Sequence, residues 1–362
     1  MYKKIILFLI ICLLNSNLSF GQQMTDEGIQ LYWKTMQKAE RGEKLSKEDL
    51  DKLWSSPGYR SWNNLYGYQD VFFKYYNLVH NPKLQDSLNK EIEKRIDKNV
   101  YSIMIKHLVE AKEKKLQLKE FIQNLKSSNI INEAKSHALR YLPKSFKIDN
   151  DSILISFTII LPDAHAIVEE EVIIVDVLHA YKQGNNFTKL LGHELHHLYL
   201  GKYFSKLKKV NHSRNIPALI YSIHKLRLEG IADLIDKNDL LKKSNKNDYE
   251  MEFCKYYKES KKRFEKIDNL IQDIADDESM FDVNGQKISN ELPFGGHPNG
   301  LYMAHLIERE FGKNGILNCL DNPFIFIKLY NKAAKRFPKA HYVFSDKSID
   351  YLKKLELEWI TN

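Results

Sequence analysis

The stretch Leu190-Leu191-Gly192-His193-Glu194-Leu195-His196-His197-Leu198-Tyr199-Leu200 decides how the rest of the chain is read. Its leucines predict a largely buried helix, and polar groups inside such a helix are costly unless they are paired or bind a metal. His193 and His197 stand four residues apart, about one helical turn, so both imidazoles leave the same face. Two neutral ring nitrogens at that separation can share one Zn²⁺. Glu194 sits beside the first histidine, where a carboxylate can hold a zinc-bound water and take its proton. The position next to a ligand points about 100° around the helix, so Glu194 is read as a base and not as a ligand. The pattern implies zinc-dependent hydrolysis.

A two-histidine site needs a third ligand. Downstream, Leu226-Arg227-Leu228-Glu229-Gly230-Ile231-Ala232-Asp233-Leu234-Ile235 reads as a second apolar helix, with Pro217 suited to its first turn. Glu229 is the candidate third ligand. Asp233, one turn later, would accept the free N–H of a ligand histidine and hold its tautomer.

Together the two motifs resemble the gluzincin metallopeptidases, which use H-E-x-x-H, then a Glu on a second helix, then an acid four residues on. The stretch from His197 to Glu229 is longer than in thermolysin-like members. A third segment narrows the resemblance. Gly295-Gly296-His297-Pro298-Asn299-Gly300-Leu301-Tyr302-Met303-Ala304 is similar to the G-x-P-x-G-x-x-M-A segment of bacterial domain-of-unknown-function families described as zinc-dependent peptidases. The resemblance spans roughly residues 140–312. It implies one Zn²⁺ per chain on His193, His197 and Glu229, Glu194 as general base, and a peptide or protein substrate. One further donor should face the oxyanion formed in hydrolysis. His297 and Tyr302 are the catalytic candidates for it, and His165 is a third. In gluzincins a small sheet lies beside the metal helix, and its edge strand binds substrate backbone. By that resemblance Asp163, Ala164 and His165 form the candidate substrate edge, acting by strand addition. Two other readings stay open: a non-catalytic zinc- or peptide-binding protein, and a zinc hydrolase of cell-wall peptides or other amides.

Residues 1–22 read as a signal peptide. Lys3 and Lys4 precede an apolar run from Ile5 to Leu14, too short to span a bilayer, and Ser19-Phe20-Gly21 suits cleavage. The mature protein is therefore expected to be exported, periplasmic or secreted, with no stable membrane insertion. The formal charge of +8 is spread among acids and forms no basic stripe interleaved with aromatics, which argues against nucleic-acid binding. Cleavage would leave Cys254 and Cys319, which could pair or remain thiols.

The expected fold is mainly α (α+β). Residues 23–145 form a helical N-terminal region, with Ser46 to Asp49 as a helix start and an aromatic cluster from Trp54 to Tyr76 as helix–helix core. Residues 146–312 form a zincin-like domain, with strands over Ser152–Leu161 and Val172–Val177 and with Asn185 and Asn186 as caps of the metal helix. Residues 236–248 and 281–299 read as loops, the second on the turn signal Val283-Asn284-Gly285, and Tyr249–Asp277 as one long helix. Residues 313–362 form a helical C-terminal region packed on that domain.

Overall fold

Alternating patterns of apolar residues separate the chain into many short helices and one small sheet, and the computed structural model describes residues 23–94, 99–147, 153–204 and 216–360. The signal-peptide segment 1–22 lies outside the described residues. The fold is mainly α with a small sheet. The chain divides into two units: residues 1–128 with 145–184, and residues 129–144 with 185–362.

The first unit holds the sheet, β1 (Gln23–Thr25), β2 (Leu154–Thr158), β3 (Ala164–Ile167) and β4 (Val172–Asp176), in the order β1-β2-β4-β3. β1 and β4 run parallel to β2, with Met24 opposite Ile155 and Phe157 opposite Val175. β3 pairs antiparallel with β4, Ala164 opposite Val175, and forms one edge. Every residue of β4 is buried, in keeping with the continuous apolar run Val172–Val175, which the buried Asp176 closes. Helices follow the expected signals. Ser46 and Asp49 close a reciprocal capping box at the start of Lys47–Ser55. Trp54, Tyr59, Phe72 and Tyr76 are buried and pack ring on ring. The Tyr59 hydroxyl accepts from the Ile159 N–H at 3.1 Å, tying that cluster to the end of β2.

In the second unit, five helices carry or frame the site. These are α1 (Ile130–Ala138), α2 (Phe187–Tyr203), α3 (Ala218–Asp236), α4 (Phe281–Asn290) and α5 (His297–Leu317). Helices α2 and α3 are buried on nearly every face, polar positions included, so both are enclosed by other helices. α2 packs on α1 and α3, and α3 packs on α4 and α5. Among the described residues no helix is long and apolar enough to cross a membrane. Cys254 and Cys319 are both buried free thiols, and burial pushes the Cys319 thiol up to about 12.

Several local expectations are corrected. Asn186 occupies the cap position of α2 with no side-chain bond to the helix, its backbone already being near-helical. Residues 281–290 form α4 instead of a loop, and Gly285 there is not a turn residue. A Cβ at Gly285 would lie 3.0 Å from the Leu219 amide nitrogen, so the glycine allows α4 to touch α3. Tyr249–Asp277 breaks at Glu259 into Asp248–Lys258 and Ser260–Asp276, and the 236–248 stretch contains the short helix Asn238–Lys242. The small sheet belongs to the first unit and the H-E-x-x-H helix to the second.

Candidate metal centre

α2 and α3 bring three candidate ligands to one point. His193 Nε2 and His197 Nε2 are 2.9 Å apart, and Glu229 Oε2 lies 3.0 Å from His197 Nε2 and 3.6 Å from His193 Nε2. A tetrahedral zinc with bonds of ~2.0–2.1 Å has ligand–ligand edges of about 3.3 Å. The three observed separations bracket that edge. Glu229 Oε2 is buried and takes no hydrogen bond, and His197 Nδ1 is buried without a partner. A buried carboxylate oxygen surrounded by ring nitrogens and receiving no hydrogen bond fits a cation better than it fits a structural network.

His297 joins the same cluster. Its Nε2 is 3.2 Å from Glu229 Oε2, and its ring stacks on His193 at 5.7 Å between centroids. Two features of α5 make this possible. A Cβ on Gly230 would overlap the backbone of Gly300, and one on Gly300 would overlap the Leu226 carbonyl. With neither Cβ present, α5 lies against α3 backbone to backbone, one residue from Glu229 and three from His297. The approach to His297 is a left-handed turn in which Phe294, Gly295 and Gly296 have φ of 51°, 65° and 92°. Gly295 and Gly296 adopt it at no steric cost, whereas Phe294 carries strain of about 1–3 kcal/mol. Phe294 packs on Tyr249 and Tyr256.

Around the ring nitrogens stands a set of carboxylates. Asp236 Oδ1 is 3.0 Å from His193 Nδ1, while Asp233 Oδ1 is 3.6 Å from the same nitrogen. Asp233 instead lies 3.0 and 3.1 Å from His297 Nδ1 through its two oxygens. Asp233 therefore orients His297, and the carboxylate that backs His193 Nδ1 is Asp236. Asp236 was not singled out by sequence, although its place three residues after Asp233 and seven after Glu229 puts it on the same helical face. Lys225 is the other addition. It bonds Glu229 Oε1 from one turn earlier on α3. The Lys237 ammonium is 2.5 Å from Asp236 Oδ2.

These charges shift each other. Burial works against protonation of His193, but Asp236, Glu229 and Glu194 overcome it and raise the imidazole well above its usual range. Burial works against ionisation of Glu229, yet His297, His197 and Lys225 hold its carboxyl well below the usual carboxylate range. Asp236 is likewise lowered against its burial by Lys237 and His193. A cation among the rings would take over the role of those protons, so binding should release them. His196 differs from its neighbours. Its Nδ1 lies 2.9 Å from the Ala138 carbonyl oxygen, and burial lowers the imidazole to about 3. It is a neutral core residue that ties α2 to α1.

The remaining candidates lie on α2, on α5 and at β3. Glu194 is buried on α2, and its charge acts on both His193 and Lys225. Tyr302 is on α5, but its hydroxyl is 2.6 Å from His341 Nδ1 within a cluster of Tyr257, Phe264 and Tyr330. It lies about 140° around the helix from His297. Asp163, Ala164 and His165 are on or beside the edge strand β3 of the first unit. There His165 Nε2 is 3.0 Å from Asp163 Oδ2 and 2.5 Å from the Tyr66 hydroxyl, and the Ala164 N–H donates to Asp163 Oδ1 at 2.9 Å.

A buried centre of histidines and carboxylates on an H-E-x-x-H helix and its neighbours is the kind of centre that zinc peptidases use. Residues 50–338 match the family DUF5700, described as "Putative zinc dependent peptidase", and the chain belongs to that family. No curated protein and no solved structure matches the chain.

Proposed function

We propose that the protein is a zinc-dependent metallopeptidase in which Glu194 is the general base. The observation that carries this reading is the convergence of His193 Nε2, His197 Nε2 and Glu229 Oε2 within a ligand-sized triangle, with Glu194 next to His193 on α2 and its charge acting on that ring. A bound zinc would supply Lewis acidity at this point and bring the pKa of a water toward about 7. His193, His197 and Glu229 would hold the ion. Lys225 occupies Glu229 Oε1, leaving Oε2 as the oxygen that faces the rings. Asp236 holds His193 in one orientation. Glu194 accepts the proton of the attacking water and returns it to the leaving amine. His297, held by Asp233, is the side chain we assign as donor to the oxyanion, a contribution typically worth about 10²–10³ in rate.

Glu194→Gln tests the base. It keeps the size of the side chain and removes its basicity. Zinc content should stay near the wild-type level while peptide hydrolysis falls by about 10²-fold or more. Both are measured on the same preparations, with circular dichroism as the folding control. Hydrolysis at the wild-type rate would sink the mechanism and favour a non-catalytic zinc-binding role.

A further inference from the structure

We propose that His297 is a fourth zinc ligand in the resting protein, and that substrate releases it about the left-handed turn at Phe294–Gly296. The inference rests on the zinc site proposed above and adds to it. Both oxygens of Asp233 lie within hydrogen-bond distance of His297 Nδ1, which fixes the ring with Nε2 on its far side. Its Nε2 then faces Glu229 Oε2, 3.2 Å away. A buried carboxylate oxygen and a ring nitrogen this close need a proton or a cation between them. The same arrangement exists at His193, whose Nδ1 is held by Asp236. His193 and His297 are thus the two rings backed by carboxylates, the arrangement that accompanies metal-bound histidine.

His193, Glu229 and His297 offer ligand atoms within 4.8 Å of one another, and His193, His197 and Glu229 form a second such set that shares two of them. Glu229 Oε2 is 3.6, 3.0 and 3.2 Å from the Nε2 atoms of His193, His197 and His297, against a tetrahedral edge of about 3.3 Å. Two imidazoles on one zinc place their ring centres about 5 Å apart. His193 is 4.5 Å from His197 and 5.7 Å from His297, on either side of that value.

Four protein ligands describe a closed site, whereas catalysis needs an open position. His297 is the ligand able to leave. His193, His197 and Glu229 lie inside α2 and α3, while His297 is the first residue of α5 and follows three consecutive residues with positive φ. It is also the most exposed of the four, with 26 % of its side chain accessible. Once released, the ring stays held at Nδ1 by Asp233 and can turn its Nε2 edge toward substrate. One side chain would then serve as resting ligand and as oxyanion donor in turn.

The test reads coordination and needs no substrate. The full mature chain is stripped with chelator and loaded with one equivalent of Zn²⁺, and imidazoles per zinc are counted by X-ray absorption. Three are expected in the wild type and two in His297→Asn, whose zinc affinity should fall by about 10²-fold or more, at least the scale of losing an outer partner. Adding acetohydroxamate, a small zinc chelator, should lower the wild-type count from three to two. Two imidazoles in the wild type alone, three retained with hydroxamate bound, or no hydroxamate binding would each overturn the proposal. The wild-type counts decide it even if His297→Asn fails to fold. Three imidazoles falling to two in a protein that hydrolyses no peptide would uphold the displaceable ligand and remove the peptidase reading.

Discussion

Each unit of the molecule buries histidine against carboxylate, and the two clusters are built differently. In the first unit, His107 Nε2 lies 2.8 Å from Asp176 Oδ1, and His80 Nε2 lies 2.7 Å from the Tyr32 hydroxyl. Asp176 also accepts from the backbone N–H groups of His179 and Ile160, each at 2.9 Å, so it caps a helix and closes the end of β4. Its oxygens are used up by structure. In the second unit, Glu229 Oε2 faces three ring nitrogens and takes no hydrogen bond. The carboxylates that do have partners, Asp233 and Asp236, sit behind the rings. Buried polarity alone therefore does not mark a functional site. Ring nitrogens whose lone pairs converge on one point do.

That difference can be broken from either side. The largest effect is expected in the structural cluster. Asp176→Ala leaves two buried backbone donors without their acceptor and removes the carboxylate beside His107, and urea unfolding should show a loss of about 3–5 kcal/mol. Zinc bound per folded molecule should not change. Zinc loss on the same scale would mean that the first unit also serves the metal. The opposite pattern is expected for Asp236→Asn. Competition with a fluorescent chelator should show zinc affinity weakened by about 10- to 100-fold, as for other partners of metal-bound histidines. An affinity equal to wild type would reduce the Asp236–His193 contact to packing.

A smaller effect sharpens the comparison through pH. Burial lowers His80 to about 3, with Lys112 and Lys115 adding to the shift, against an unfolded value of about 6.5. The folded state keeps the ring neutral where the unfolded chain takes up a proton. Stability contributed by His80 is thus complete above about pH 6.5 and is lost as pH falls toward 3, by about 1.4 kcal/mol per unit. Urea midpoints of wild type and His80→Asn between pH 7 and 5 should converge accordingly. Parallel pH profiles would show that His80 titrates normally.

The motif helices were legible because their information is local. The i, i+4 spacing of His193 and His197, and of Glu229 and Asp233, sets which face each side chain leaves, whatever surrounds the helix. The buried strands were legible for a similar reason, since β-branched runs such as Val172–Val175 suit few other structures. Asp236 and Lys225 lay on the same face of α3 and could have been read by extending that spacing by three positions forward and four back. Gly285 misled because glycine signals both turns and close helix contacts, and only the nearness of Leu219 separates the two.

By itself, then, the sequence determined the helical class, the two motif helices and the residue types that can hold zinc, all consequences of backbone periodicity and side-chain chemistry within about a turn. Tertiary structure alone decided which partner each carboxylate takes. Asp233 is nearer His297, 64 residues away, than His193, because Gly230 and Gly300 let α5 press against α3. Tyr302, five residues along the same helix, is carried to His341 by the helical turn that brings His297 to Glu229. Contacts of that kind depend on how closely two backbones can approach, and no window of sequence contains both sides of such a contact.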